Sequence, residues 1–266
     1  MIPVFLIMKQ FILPSPPDKR GRIRLSGEDY HYLVNVRRFS PGASFNARLP
    51  SGEAVLVRVC SVEKGRLTGV CLEPPESPRE FPGPSLVLFQ ALPKGSKMDL
   101  ILRQAAEGGV REVVPFCSEF AVPRIGAAGD EKRERWQRIL KEARQQSGSA
   151  VPTTVRSPCT EEALWAYWQG LRDQYPRTLG LLLHQAPLGE GTLHGYLSTD
   201  PELVVLAVGP EGGFSSGEAA RFLAHGFKPM VIGNTIFRVE TAALYAAAAV
   251  RIILLERASW MLKSNP

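Results

Sequence analysis

The chain has 266 residues, 44% of them hydrophobic and 22% charged, a globular balance and a length suited to one large or two ordinary domains. No apolar run approaches the ~18 residues of a membrane span, and the four cysteines (Cys60, Cys71, Cys117, Cys159) form no Cys-x-x-Cys pair and no cluster with histidine, which points away from a zinc site or a disulfide framework and toward buried, reduced thiols in a cytoplasmic protein. The net charge is +6, and residues 1–80 hold 12 Lys/Arg against 8 Asp/Glu, so the positive excess is concentrated near the start, compatible with a nucleic-acid partner.

In chain order, Met1-Ile-Pro-Val-Phe-Leu-Ile7 is apolar but has neither a basic n-region nor a small-residue cleavage site, so it is a poor signal peptide. Gly21–Leu25, Phe45–Leu49, Ala54–Val59 and Arg66–Leu72 are short alternating runs between Gly/Pro/Ser turns, the pattern of a small β-barrel. One helix, Ser26–Val36, interrupts them, with Ser26 as its N-cap and Asp29 at N3. Glu73–Pro84 holds five prolines in twelve residues, which rules out helix and central strand and marks a semi-rigid linker. The expected division is a barrel over 1–77, a linker over 78–84 and a second domain over 85–266.

The second domain opens with a buried strand, Leu86–Leu92, a turn at Pro93–Lys97, and a helix, Met98–Glu107, stopped by Gly108-Gly109. Glu112–Phe116 is the next strand, and Lys132–Ser147 an amphipathic helix with Trp136, Ile139, Leu140 and Ala143 on one stripe. Glu161–Leu171 is helical; Trp165 and Trp168, three residues apart, fit a core better than a base-stacking platform. Leu179–Leu183 is a strand ending at His184, which is either a structural histidine or a pocket wall. Leu203–Val208 and Met230–Ile232 are apolar runs that each end at a glycine and read as central strands of an α/β sheet. Ligands of such sheets sit at the carboxyl ends of strands, and Gly209, Gly212, Gly213 and Gly233 bare the backbone there. Between the two runs, Ser215 and Glu218 look like an N-cap and an acid three residues on, opening a helix to His225. A last, alanine-rich helix runs from Glu240 to Arg257.

Gly209-Pro-Glu-Gly-Gly213, followed about twenty residues later by Ile232-Gly-x-x-Ile-Phe-Arg-x-Glu-Thr-Ala242, resembles the signature of the ribosomal RNA small subunit methyltransferase E family. His31-x-Leu-x-x-Val36-x-Arg38 with Pro41-Gly42, Lys94-Gly95 with Asp99, and Lys132, Arg135, Trp136, Ile139, Glu142, Ala143, Gln146 and Ser147 extend the resemblance along the chain. The family usually opens at the equivalent of Met8, so residues 1–7 read as an extension. The resemblance implies an α/β fold: a SPOUT-type trefoil-knot domain with a parallel sheet behind a PUA-like RNA-binding barrel. It also implies methylation of N3 of a uridine in 16S ribosomal RNA of the small subunit or its precursor, S-adenosylmethionine as cofactor, a homodimer, and neither a metal nor a membrane. The family usually has arginine where this chain has Phe120 and Ser149; Arg124 and Arg144 stand nearby as substitutes.

By the same resemblance, Val208, Gly209, Glu211, Gly213, Ile232, Gly233, Asn234, Ile236 and Phe237 form the cofactor slot, and Thr241 and Ala242 close it. The uracil N3 proton must leave as negative charge spreads onto O2 and O4, and a positioned guanidinium favours that anion. Arg238 is the candidate, with Glu240 either orienting it, accepting the proton, or merely sitting at a helix N-terminus. Arg22, Arg24, Arg37, Arg38 and Lys94 are candidate phosphate contacts or ordinary solvated cations. Two other readings remain open: a SPOUT enzyme acting on another nucleotide or on ribose 2′-oxygen, and a non-catalytic RNA-binding assembly factor.

Overall fold

A computed structural model describes residues 9–73, 83–121, 129–185 and 188–263. Most of the proline-rich stretch, the first eight residues and Arg124 lie outside the described residues. The chain divides into two compact units: Met1–Glu80 with Arg144–Pro152, and Phe81–Ala143 with Thr153–Pro266.

The first unit is a five-stranded half-barrel. Its strands are β1 (Phe11–Ile12), β2 (Arg22–Ser26), β3 (Ser44–Arg48), β4 (Ala54–Glu63) and β5 (Arg66–Leu72), in the order β1-β3-β4-β5-β2. Alternation sets the faces: Ile23 and Leu25 point inward with Phe45, Ala47, Val57, Val59 and Leu67, while Arg22 and Arg24 point out. α1 (Gly27–Tyr30) continues as a π-helical stretch, His31–Val36, that buries Leu33. Ser26 takes the N-cap position but its hydroxyl makes no capping bond; a glycine at φ +60 follows it and makes the turn instead. Arg144–Pro152 joins this unit: Gln10 Nε2 donates to the Arg144 and Ser149 carbonyls at 2.9 Å, and Arg48 Nε donates to Gln10 Oε1. Arg144 is 6% exposed, so it is no surface substitute for an arginine at position 149. Cys60 is exposed rather than buried, and the other three cysteines are half-buried; Cys60 follows Leu56 and Arg58 on the outward phase of β4, opposite buried Val55, Val57 and Val59.

The second unit is a six-stranded, wholly parallel sheet in the order β11-β9-β10-β6-β7-β8. Here β6 is Ser85–Ala91, β7 Glu112–Phe116, β8 Thr154–Val155, β9 Thr178–Leu183, β10 Leu203–Val208 and β11 Lys228–Met230. The helices are α2 (Lys97–Glu107), α3 (Gly129–Ser147), α4 (Glu161–Gln174), α5 (Leu193–Leu197), α6 (Ser216–Ala224) and α7 (Val239–Lys263). All six residues of β10 are buried, as a strand covered on both faces must be. Full burial of each Val or Leu contributes ~1.5–3 kcal/mol before ordering costs. One core holds Leu88, Ile101, Leu102, Trp136, Leu206 and the inner stripe of α7; the other holds Phe89, Phe116, Trp168, Leu182, Val205 and Phe222. Trp168 lies at 2% exposure and Trp165 stacks on His225 with ring centroids 4.0 Å apart, so both tryptophans serve the core.

The second apolar run of the sequence is displaced from its expected place. The strand is Lys228–Met230 at the sheet edge, and Val231 is 38% exposed. Val231 and Ile232 therefore begin a loop, not a central strand. The last helix starts at Val239 and outlasts Arg257. Alanine, leucine and arginine sustain it, since none disfavours helix.

Candidate active site

The chain runs outward from β6 through β7 to β8, crosses to β9, and then places β10 between β9 and β6. Such a switch in strand order opens a crevice at the carboxyl ends. A cleft of about 100 Å³ lies there, at the place where such folds hold small ligands. Three loops line it: Leu183–Gln185 after β9, the glycine-rich turn after β10, and residues 232–239 leading into α7.

The glycine-rich turn is built by close approach. The Gly213 N–H donates to the Pro210 carbonyl at 2.9 Å. A Cβ on Gly209 would fall 3.0 Å from the Gly213 carbonyl carbon, and Gly213 itself has φ +71 with Gln185 Nε2 3.0 Å from where a Cβ would stand. Side chains at either position would break the turn. Val208, Leu183, Val239 and Ala242 supply an apolar wall.

Glu211, itself in the cleft wall, ties the turn to the segment that leads into α2. Its Oε1 accepts from Lys97 Nζ at 2.6 Å and from the Lys94 backbone N–H at 3.0 Å. Partial burial would raise this carboxyl, but the Lys97 hydrogen bond and backbone N–H groups more than offset that and hold it below the usual range. The α6 N-terminus braces the next segment through a capping box: Ser215 Oγ accepts from the Glu218 N–H, and Glu218 Oε2 accepts from the Ser215 N–H. Glu218, 2% exposed, also accepts the Glu119 N–H on Oε1 at 3.0 Å.

Of the residues expected in the slot, Val208, Gly209, Glu211, Gly213, Ile232, Gly233, Ile236, Phe237 and Ala242 line the cleft. Asn234 and Thr241 do not line it, although their neighbours Gly233, Thr235 and Ala242 do. Their places are taken by Thr235 and Val239, with Pro210, Leu183, His184 and Gln185 as further wall residues. The His184 N–H is bonded to the Met230 carbonyl, so His184 is both tied into the sheet and part of the wall. The β9 loop could have been suspected only from its place after an apolar run.

Arg238 is exposed and outside the cleft wall; its carbonyl accepts the Ala242 N–H at 2.8 Å and starts α7. Glu240 is half-buried, and its Oε2 is buried without a hydrogen-bond partner. A buried carboxylate oxygen left so costs ~1–3 kcal/mol or more, and Glu240 is not part of the cleft wall. The bare turn and the apolar wall fit a flat heterocycle. Among the described residues no group of His, Cys, Asp and Glu is arranged to hold a metal. Arg22, Arg24, Arg38 and Lys94 are exposed and Arg37 is half-buried.

Two family profiles match the sequence: an RNA methyltransferase domain over residues 79–251 and an RNA methyltransferase PUA domain over residues 25–70. The chain is 32% identical to the ribosomal RNA small subunit methyltransferase E of Synechocystis sp., over 94% of this chain and 79% of that protein. It is 26% identical to the protein of the same name from Bacillus subtilis, over 85% and 88%. A crystal structure of the Neisseria gonorrhoeae ribosomal RNA small subunit methyltransferase E bound to S-adenosyl methionine superposes with a TM-score of 0.76 at 27% identity, covering 92% of this chain and 98% of that one.

Proposed function

This chain belongs to the ribosomal RNA small subunit methyltransferase E family, and from that premise we propose that it is an S-adenosylmethionine-dependent methyltransferase acting on N3 of a uridine in 16S ribosomal RNA. The observation that carries the reading is the cleft between the β9, β10 and β11 loops, whose bare glycine turn faces an apolar wall. In this reading Val208, Gly209, Gly213, Ile232, Gly233, Ile236, Phe237 and Ala242 hold the cofactor. When bound, S-adenosylmethionine supplies an electrophilic methyl whose leaving group is a neutral thioether.

The protein's own part is to make N3 nucleophilic. Arg238 projects from the rim just before α7, on the solvent side, where a base enters. Its guanidinium stabilises charge developing on O2 and O4 more than it stabilises the neutral base. Glu240, two residues on in the first turn of α7, orients Arg238 or accepts the N3 proton. The half-barrel presents Arg22 and Arg24 outward, where phosphates are held without sequence readout.

The partner is the small ribosomal subunit or its late precursor, in the cytoplasm, and the protein acts as a homodimer. The two faces of α7 support the dimer. Ala243, Ala246, Val250 and Leu254 are buried in the unit, while Tyr245, Ala248, Ile252 and Leu255 form a second, exposed stripe at helical spacing. A contiguous apolar stripe of this kind marks an association surface. No described helix is long and apolar enough to cross a membrane. Nucleoside mass analysis of 16S RNA from a strain lacking the gene tests the proposal: absence of one N3-methyluridine, restored by the purified protein, is expected. Loss of a ribose methyl instead would move the target to the 2′-oxygen.

A further inference from the structure

The outer face of the glycine-rich turn carries an aromatic side chain that the cofactor reading leaves without a role. Among the described phenylalanines only Phe120 is exposed, at 52%. It follows β7, at the same carboxyl edge of the sheet as the cleft. A Cβ on Gly212 would stand 3.1 Å from Phe120 Cβ, so the ring is rooted directly on the turn whose inner side lines the cleft. The neighbouring Glu211 carries Lys97 and the Lys94 N–H. The sheet edge therefore places the Lys97–Glu211 pair, a glycine turn and an exposed ring close together.

The ring does not hang on a loose segment. The Ala121 N–H donates to the Ser118 carbonyl at 3.0 Å, the Cys117 N–H to the Cys159 carbonyl at 3.0 Å, and the Glu119 N–H to buried Glu218. Glu119 also accepts from Arg221 Nη2 at 2.8 Å. A turn tied at four points holds its exposed aromatic ready for a partner, because little conformational entropy is left to lose on binding. Phenylalanine offers neither charge nor a hydrogen-bonding group. What it offers, exposed at the edge where the cleft opens, is a π-face for an unstacked base.

We propose that Phe120 stacks on a nucleobase of the RNA substrate, at or next to the nucleotide that enters the cleft. This rests on the methyltransferase reading, but it assigns to this chain a base contact that reading does not contain. Loss of one base–aromatic stack typically weakens single-strand binding by about 10- to 100-fold.

The test compares the full-length protein with F120A, F120L and F120W. Equilibrium binding to small ribosomal subunits lacking the mark is measured beside single-turnover methylation, cofactor affinity and melting temperature. F120A and F120L should each weaken subunit binding about 10- to 100-fold, F120W should stay within about threefold of the parent, and cofactor affinity and melting should not move. Leucine keeps apolar bulk without a π-face, so a packing role would leave F120L near normal. Normal subunit binding by F120L overturns the proposal, as does a loss of cofactor affinity equal to the loss of RNA affinity. A parent protein that binds subunits through Phe120 yet methylates nothing would sink the methyltransferase reading while leaving the stacking contact standing.

Discussion

Lys97 Nζ lies 2.6 Å from Glu211 Oε1, an ion pair that joins the N-terminus of α2 to the glycine-rich turn. It is a clamp on the cleft wall, which Glu211 itself lines. Both partners keep some solvent exposure, so the pair adds little global stability, ~0.2–1 kcal/mol. Its effect should fall on the turn. Glu211→Gln is expected to lower the melting temperature by no more than about 4 °C and to weaken cofactor binding several-fold in calorimetry.

The same carboxylate sets a pH expectation. Its folded pKa lies below the ordinary glutamate value, ~4.3 in model peptides. A depressed acid contributes stability that is present above the unfolded value and lost as pH falls through the lowered folded one. The melting difference between the parent protein and Glu211→Gln should therefore be constant near neutrality and shrink below about pH 4. A difference that grows on acidification would contradict this assignment.

Arg238→Ala is expected to slow single-turnover methylation by about 100- to 1,000-fold, the usual cost of one preorganised charge-stabilising donor. Because Arg238 is exposed and outside the cleft wall, cofactor affinity and melting should change much less. A near-normal rate would remove Arg238 from the chemistry.

Glu218 is a structural keystone for the loop that carries Phe120. It is buried, caps α6 and accepts two backbone N–H groups. Glu218→Ala should destabilise the protein by about 1–3 kcal/mol. Hydrogen exchange should show the Glu119 and Ser215 amides losing protection first.

Ile252 is 55% exposed on the outer stripe of α7. Ile252→Asp should convert a dimer into a monomer by light scattering at micromolar concentration without unfolding the chain. A parent protein already monomeric under those conditions would remove the dimer from the proposal.

The sequence by itself determined much of this protein, wherever the determining interaction is local. Alternation in Arg22–Ser26, the helical stripe of Trp136, Leu140 and Ala143, the continuous apolar run of Leu203–Val208 and the Ser215/Glu218 capping box each encode their structure within a few residues. The glycines of the β10 turn were legible too, since a backbone that must pass within 3.0 Å of itself tolerates no side chain. Tertiary structure decided what depends on partners distant in sequence. It set β11 three residues long at the sheet edge and freed Ile232 to line the pocket from a loop. It also buried Arg144 beside Gln10, 134 residues away, although arginine near a helix end usually reads as solvated. Lys97 with Glu211, Glu119 with Glu218, and Phe120 with Gly212 meet across about a hundred residues because parallel strands bring their carboxyl-end loops to one edge. No local period encodes which loops become neighbours; strand order does, and that order is fixed only when the buried faces of the sheet find their helices.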